Sequence, residues 1–207
     1  MSIYNLPLKD ILKHDQLFQS FMNVLSIELS NELLLALIEL TQYYEYIYKY
    51  LRTNNVLIQT DINKPEPIME SISFPDNIPQ SYIVHQKSSF NSQNPNTLNV
   101  NNDNTVSSSS PSRIHINAFL KECKQKAYEL YKKYIAKGAT LQVNISYKSR
   151  KKLDIIMKKD MKGCGLNELL FIFDDVCNEI YSLMNDSYQR FQCSGNYIAL
   201  ANSVLDV

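Results

Sequence analysis

Tryptophan is absent from this chain, and glycine occurs only 4 times in 207 residues. So few glycines disfavour a turn-rich all-β fold and leave no glycine-rich loop of the kind that cradles phosphate. No apolar run reaches the roughly 18 residues that a membrane-spanning helix needs. The first residues, Met1-Ser2-Ile3-Tyr4, lack the charged start and apolar stretch of a secretory signal. The four cysteines, Cys123, Cys164, Cys177 and Cys193, show no CxxC spacing. Without a signal they are expected to be reduced thiols in a cytoplasmic protein. By the same reasoning, the triplets Asn144-Ile145-Ser146 and Asn185-Asp186-Ser187 are chance glycosylation matches.

Catalytic and metal signatures are missing too. His14, His85 and His115 lie far apart, and none shares a helix-face spacing with a cysteine or acid partner. There is no GxSxG elbow, HExxH pair, phosphate loop or dinucleotide fingerprint. Asp174-Asp175 resembles a carboxylate pair, but adjacent helix residues point about 100° apart, so it reads as a solvated face. The residues therefore point to a binding module that has no active site, cofactor or metal of its own.

What is present is mainly helical patterning. Hydrophobic residues make up 44% of the chain, with 14 tyrosines. That is enough for the core of one domain. Leu17, Phe18, Phe21, Val24 and Leu25 recur at helical spacing. Ser26 and Ser30 are candidate caps for the next helix. From Leu33 to Leu51 the chain is apolar around much of the helix circumference, which predicts a central, buried helix.

Residues 53–113 differ. They hold six of the seven prolines, an Asn-rich run and Ser107-Ser108-Ser109-Ser110. Such a segment buries too little surface to offset ordering entropy, so a disordered insertion is expected there. Tyr82-Ile83-Val84 is its one candidate docking stretch. Helical patterning returns over 114–207. A stripe from Phe119 to Tyr134 stops at Lys137-Gly138, and a short helix spans Lys148 to Met157. A long stripe then runs from Leu166 to Met184, and a closing segment covers Ser187–Ala199. The predicted domain is thus built from 1–52 and 114–207.

Net charge is zero but unevenly spread. Residues 121–162 hold 13 Lys/Arg against 4 acids, whereas 163–207 hold a single Arg against six acids. Two readings stay open: a solvated helix surface, or a face near an anionic membrane leaflet. Nucleic-acid binding is not expected, because one end is acidic and no recognition motif accompanies the charge.

Several segments fall in the order of one known family. Leu17-Phe18-Gln19-Ser20-Phe21-Met22-Asn23-Val24-Leu25 is followed by Glu28-Leu29-Ser30-Asn31-Glu32-Leu33. Ala127-Tyr128-Glu129-Leu130-Tyr131-Lys132-Lys133-Tyr134-Ile135 leads to Val143-Asn144-Ile145 and then Arg150. Phe173-Asp174-Asp175-Val176 leads to Ile180-Tyr181-Ser182-Leu183-Met184, and then to Asp186-Ser187-Tyr188-Gln189-Arg190-Phe191. Together these resemble the regulator-of-G-protein-signalling (RGS) domain over roughly 145 residues. The last run is one residue shorter than the family pattern between Met184 and Asp186. The insertion would lie between two helices of the inner bundle, where a long loop is tolerated because closure entropy grows only logarithmically.

The resemblance implies an all-α bundle of about nine helices in two subdomains. It implies a partner, the activated Gα subunit of a heterotrimeric G protein, whose GTP hydrolysis the module accelerates by holding the switch segments. The implied site residues are Glu28, Glu32, Leu33, Asn144, Leu183, Asp186, Ser187 and Arg190. Asn144 would orient groups in the partner's active site. Asp186 would receive a switch residue, braced by Arg190. Recruitment to the inner face of the plasma membrane is compatible with this role. Leu33 stands where the family usually has an asparagine, which opens a second expectation of an RGS-like scaffold that does not stimulate hydrolysis. Leu37 replaces the usual tryptophan, a core change that repacking can absorb.

Overall fold

In the computed structural model, residues 6–56, 58, 67–75 and 113–205 are described. Among them every regular element is helical. They are α1 (Leu8–Ile11), α2 (Asp15–Ile27), α3 (Asn31–Thr53), α4 (Ile68–Ser71), α5 (Arg113–Leu130) with a π-helical turn over Tyr131–Ile135, α6 (Tyr147–Lys158), α7 (Leu166–Leu170), α8 (Asp174–Gln192) and α9 (Gly195–Leu205). The sequence expectation of an all-α fold with a buried α3 is met. Leu34, Ala36, Leu37, Leu40 and Ile47 of α3 are fully buried.

Helix α8 is the shared wall of two packed groups. It meets α2 and α9 on one side, and α3, α4 and α6 on others. The first group is held by aromatic side chains. Phe21 lies 5.6 Å from Phe191 and 6.0 Å from Tyr188, and Phe191 lies 5.3 Å from Tyr197. Offset and edge contacts of this kind add to the area that such rings bury. Tyr188 donates its hydroxyl to the Leu6 carbonyl, and the Leu6 N–H donates to the Tyr197 hydroxyl at 3.1 Å. Leu6, just ahead of α1, is thereby tied to α8 and α9. In the second group, α3 packs on α5 and α7, with Tyr43 edge-on to Phe173 at 5.5 Å.

The structure corrects several details. Pro67, Met69, Ile72 and Phe74 fall inside the stretch assigned to a disordered insertion, yet α4 docks on the body. Met69 and Ile72 are buried, Phe74 contacts Phe18 edge-on, and Tyr44 donates to Glu70 at 2.7 Å. Average composition over 53–113 hid this local apolar cluster. Residues 59–66 and 76–112, including Tyr82-Ile83-Val84, lie outside the described residues. The long stripe from Leu166 is two helices, because Phe171–Phe173 form a turn. Helix α8 continues to Gln192, and a new helix begins after Ser194, whose hydroxyl accepts the Tyr197 N–H. Ser30 does sit at the start of α3, but its hydroxyl donates back to the Leu25 carbonyl and does not cap α3.

Candidate functional site

The loop that carries Asn144 is built on the end of α5. The last carbonyls of any helix lack intrahelical partners, and here the chain folds back to satisfy three in a row. The Leu141 N–H donates to the Lys133 carbonyl at 3.1 Å, and the Val143 N–H to the Tyr134 carbonyl at 2.9 Å. The Arg150 guanidinium donates to the Ile135 carbonyl at 2.8 Å and to the Val143 carbonyl at 3.0 Å. The π turn at Tyr131–Ile135, closed by the Ala136 N–H on the Tyr131 carbonyl, sets the place of this fold-back. Gly138 supplies the left-handed turn expected there, at φ +78°. Val143 and Ile145 are buried while Asn144 between them is exposed. The alternation holds the Asn144 carboxamide outward on a fixed backbone.

A second set of bonds joins this loop to α8. Glu179 accepts from the Ser146 N–H at 2.6 Å, the Ser146 hydroxyl at 2.7 Å and the Ser149 hydroxyl at 2.5 Å. The Ser149 N–H donates to the Ser146 hydroxyl, which caps α6. Burial pushes the Glu179 carboxyl up, but the bonds from Ser149 and Ser146 outweigh it and hold the group below its usual value.

The other end of α8 holds the loop after α2. Glu28 receives the Arg190 guanidinium in a forked pair, Nε to Oε1 at 2.8 Å and Nη2 to Oε2 at 2.9 Å. The Ser187 hydroxyl donates to Glu28 Oε2 at 2.5 Å, and Arg190 also donates to Ser187 at 3.1 Å. The guanidinium and the Ser187 hydroxyl hold the Glu28 carboxyl below its usual value. Arg190 was expected to brace Asp186, four residues earlier on the same face. Its Nε and Nη2 are instead taken by Glu28 across the α2–α8 contact, and Asp186 acts on the guanidinium only as a nearby charge. Asp186 is left exposed to solvent.

Beyond Glu28 the backbone turns sharply. The Leu29 N–H donates to the Ser26 carbonyl and the Ser30 N–H to the Leu25 carbonyl at 2.8 Å. This double closure needs a left-handed residue, usually glycine. Here Leu29 takes it, at φ +53°. Leu29 is 85% exposed and Ile27 83% exposed, so two large apolar side chains flank Glu28 in water. The sequence reasoning missed both.

Glu179, Leu183, Asp186 and Arg190 follow one another on α8 at spacings of 4, 3 and 4. They therefore form one stripe about 16 Å long. Of the expected site residues, the stripe carries Leu183, Asp186 and Arg190, with the Asn144 loop at its Glu179 end and the Glu28 loop at its Arg190 end. Ser187 is buried beneath Glu28, and Leu183 and Glu32 are half-buried. Leu33 is 7% exposed and packs in the core, so it offers almost no surface to a partner.

Of the four free cysteines only Cys193, at the end of α8, is exposed. Cys177 is fully enclosed, and burial pushes the Cys123 thiol up to about 12. Among the described residues no group of three His, Cys, Asp or Glu is placed to hold a metal, and no helix is long and apolar enough to cross a membrane.

The fold and this stripe define an all-helical module that offers a polar face framed by two pinned loops. Residues 8–200 match the family of the Regulator of G protein signaling domain, and the chain belongs to that family. Comparison with curated proteins and with solved structures returned no match.

Proposed function

We propose that this chain is a GTPase-activating module for an activated heterotrimeric Gα subunit, and that it has no active site of its own. The observation that carries the reading is the pinned loop that holds the exposed Asn144 at one end of the α8 stripe. A carboxamide donates and accepts at once, so Asn144 can orient both a glutamine side chain and a backbone group in the partner's site. Because its backbone is fixed by the Arg150 and Glu179 bonds, little ordering is left to do on binding.

At the other end, Asp186 is free to accept a switch hydroxyl or N–H, because Arg190 is held by Glu28. Glu32 adds a second acid at the start of α3. Ile27 and Leu29 supply apolar contact beside them. Leu183 and Ser187 shape the floor of the same face. The module then acts by preorganising the partner's own catalytic groups. That assignment places it at the cytoplasmic face of membranes, where Gα works.

The binding test is affinity for a Gα panel loaded with GDP, with GTP analogue or with a transition-state mimic. Tightest binding to the mimic is expected, and equal affinity for all three forms would refute the reading. One observation favours a second reading, a scaffold that binds Gα without accelerating it. Leu33 is in the core, and the polar contact implied by the usual asparagine is missing. In that case affinity would not peak at the transition-state form.

A further inference from the structure

One side of α6 faces solvent and is used by nothing described so far. Its inward face is Ser149, Leu153 and Met157. On the outward face, Tyr147, Lys151, Ile155 and Lys158 recur at spacings of 4, 4 and 3, flanked by Lys148 and followed by Lys159 and Lys162. Tyr147 is 74% exposed and Ile155 47% exposed. The Lys151 ammonium lies 5.4 Å over the Tyr147 ring.

Among the described residues, none of Lys148, Lys151, Lys158, Lys159 or Lys162 forms an ion pair, whereas Lys152 on the flank is paired with Asp175 at 2.6 Å. Two acids lie in this segment. Asp154 accepts the Tyr131 hydroxyl at 2.7 Å, and Asp160 is exposed. The chain as a whole is neutral, so the density of cations here is local.

We propose that this face of α6 seats on an anionic lipid surface. Charge alone would suit any polyanion, but the face interleaves lysines with one large aromatic and one aliphatic side chain. A ring with a polar tip and an isoleucine on a lysine-rich stripe match the shallow apolar layer beneath lipid headgroups. The lysine stems bury along the surface while their ammonium groups meet phosphate and carboxylate. Two apolar side chains are too few for the core of a stable protein interface, which usually buries ~800 Å² per partner. They suffice for partial insertion helped by charge. The inference stands independently of the Gα reading.

The test is co-sedimentation of the full chain with phosphatidylcholine vesicles, with and without phosphatidylserine. Binding is expected only with phosphatidylserine and should weaken as salt rises. Lys151→Glu with Lys158→Glu should lower the partition coefficient at least about tenfold, since each lysine near such a surface is worth about fivefold. Tyr147→Ser with Ile155→Ser should lower it by about fivefold. All four side chains are exposed, so the helical signal should be unchanged.

Absence of phosphatidylserine-dependent binding would overturn the proposal, as would binding that the lysine pair does not affect. Loss with the lysine pair but none with the apolar pair would mean general attraction to polyanions and would also overturn it. If instead either pair weakens binding to Gα in lipid-free solution, the face is a protein contact and not a lipid one.

Discussion

The two loops that frame the α8 stripe are fixed by different physics. The Asn144 loop is held mainly by backbone bonds to the end of α5, by Arg150 inside the turn, and by three bonds to Glu179. The Glu28 loop is held by an ion pair whose arginine is largely in water, and its turn puts a leucine in a left-handed backbone. The first arrangement keeps its geometry whatever the salt. The second weakens as salt rises, because exposed pairs are screened. Asn144, to which the proposed function gives the orienting role, sits on the loop with the sturdier anchors.

Breaking the sturdier anchor should have the largest effect. Arg150→Ala leaves the carbonyls of Ile135 and Val143 without their donor, and should lower unfolding free energy by about 2–3 kcal/mol in urea titration. If the stability change is under half of that, Arg150 is not what holds the turn. Glu179→Gln keeps the shape but replaces a shared carboxylate, and should cost about 1 kcal/mol.

The same carboxylate gives a pH signature. Glu28 and Glu179 both sit below the usual 4.5 in the folded chain. A depressed acid adds stability that is present above its unfolded value and lost as pH falls through the folded one. Urea midpoints should therefore fall as pH drops below about 4.5, and Glu179→Gln should make that fall shallower. An acid limb as steep as in the unaltered chain would show that Glu179 is not titrating there.

Relieving the weaker loop works in the opposite direction. Leu29→Gly removes left-handed strain without losing packing, because the side chain is exposed. It should stabilise the fold by up to about 1 kcal/mol while weakening affinity for Gα. Stabilisation with unchanged affinity would remove Leu29 from the partner face. The smallest expected change is Asn144→Ala, within about 0.5 kcal/mol of stability because nothing in the fold leans on this surface carboxamide.

Much of this was legible in the sequence for identifiable reasons. Helical periodicity gave the burial of α3 and the stripes of α2, α5 and α8, since core faces repeat every turn. Motif order placed Asn144 on an exposed loop and Asp186 with Arg190 on one helix face. Three features were not legible. The partner of Arg190 depends on how α2 and α8 cross, which no local spacing encodes, so Glu28 replaced Asp186. Leu33 belongs to the all-round apolar run of α3, and its burial outweighed its motif position. Leu29 carries no sign of a left-handed turn, because glycine usually marks one. Ile27 was recoverable, because it lies nearly opposite Phe18, Met22 and Leu25 on α2.

The most direct test of the central claim is single-turnover GTP hydrolysis by a panel of Gα subunits, with and without this chain. Acceleration of at least one Gα is expected, together with its loss in Asn144→Ala at unchanged fold. No acceleration across the panel, or acceleration that survives Asn144→Ala undiminished, would contradict the account.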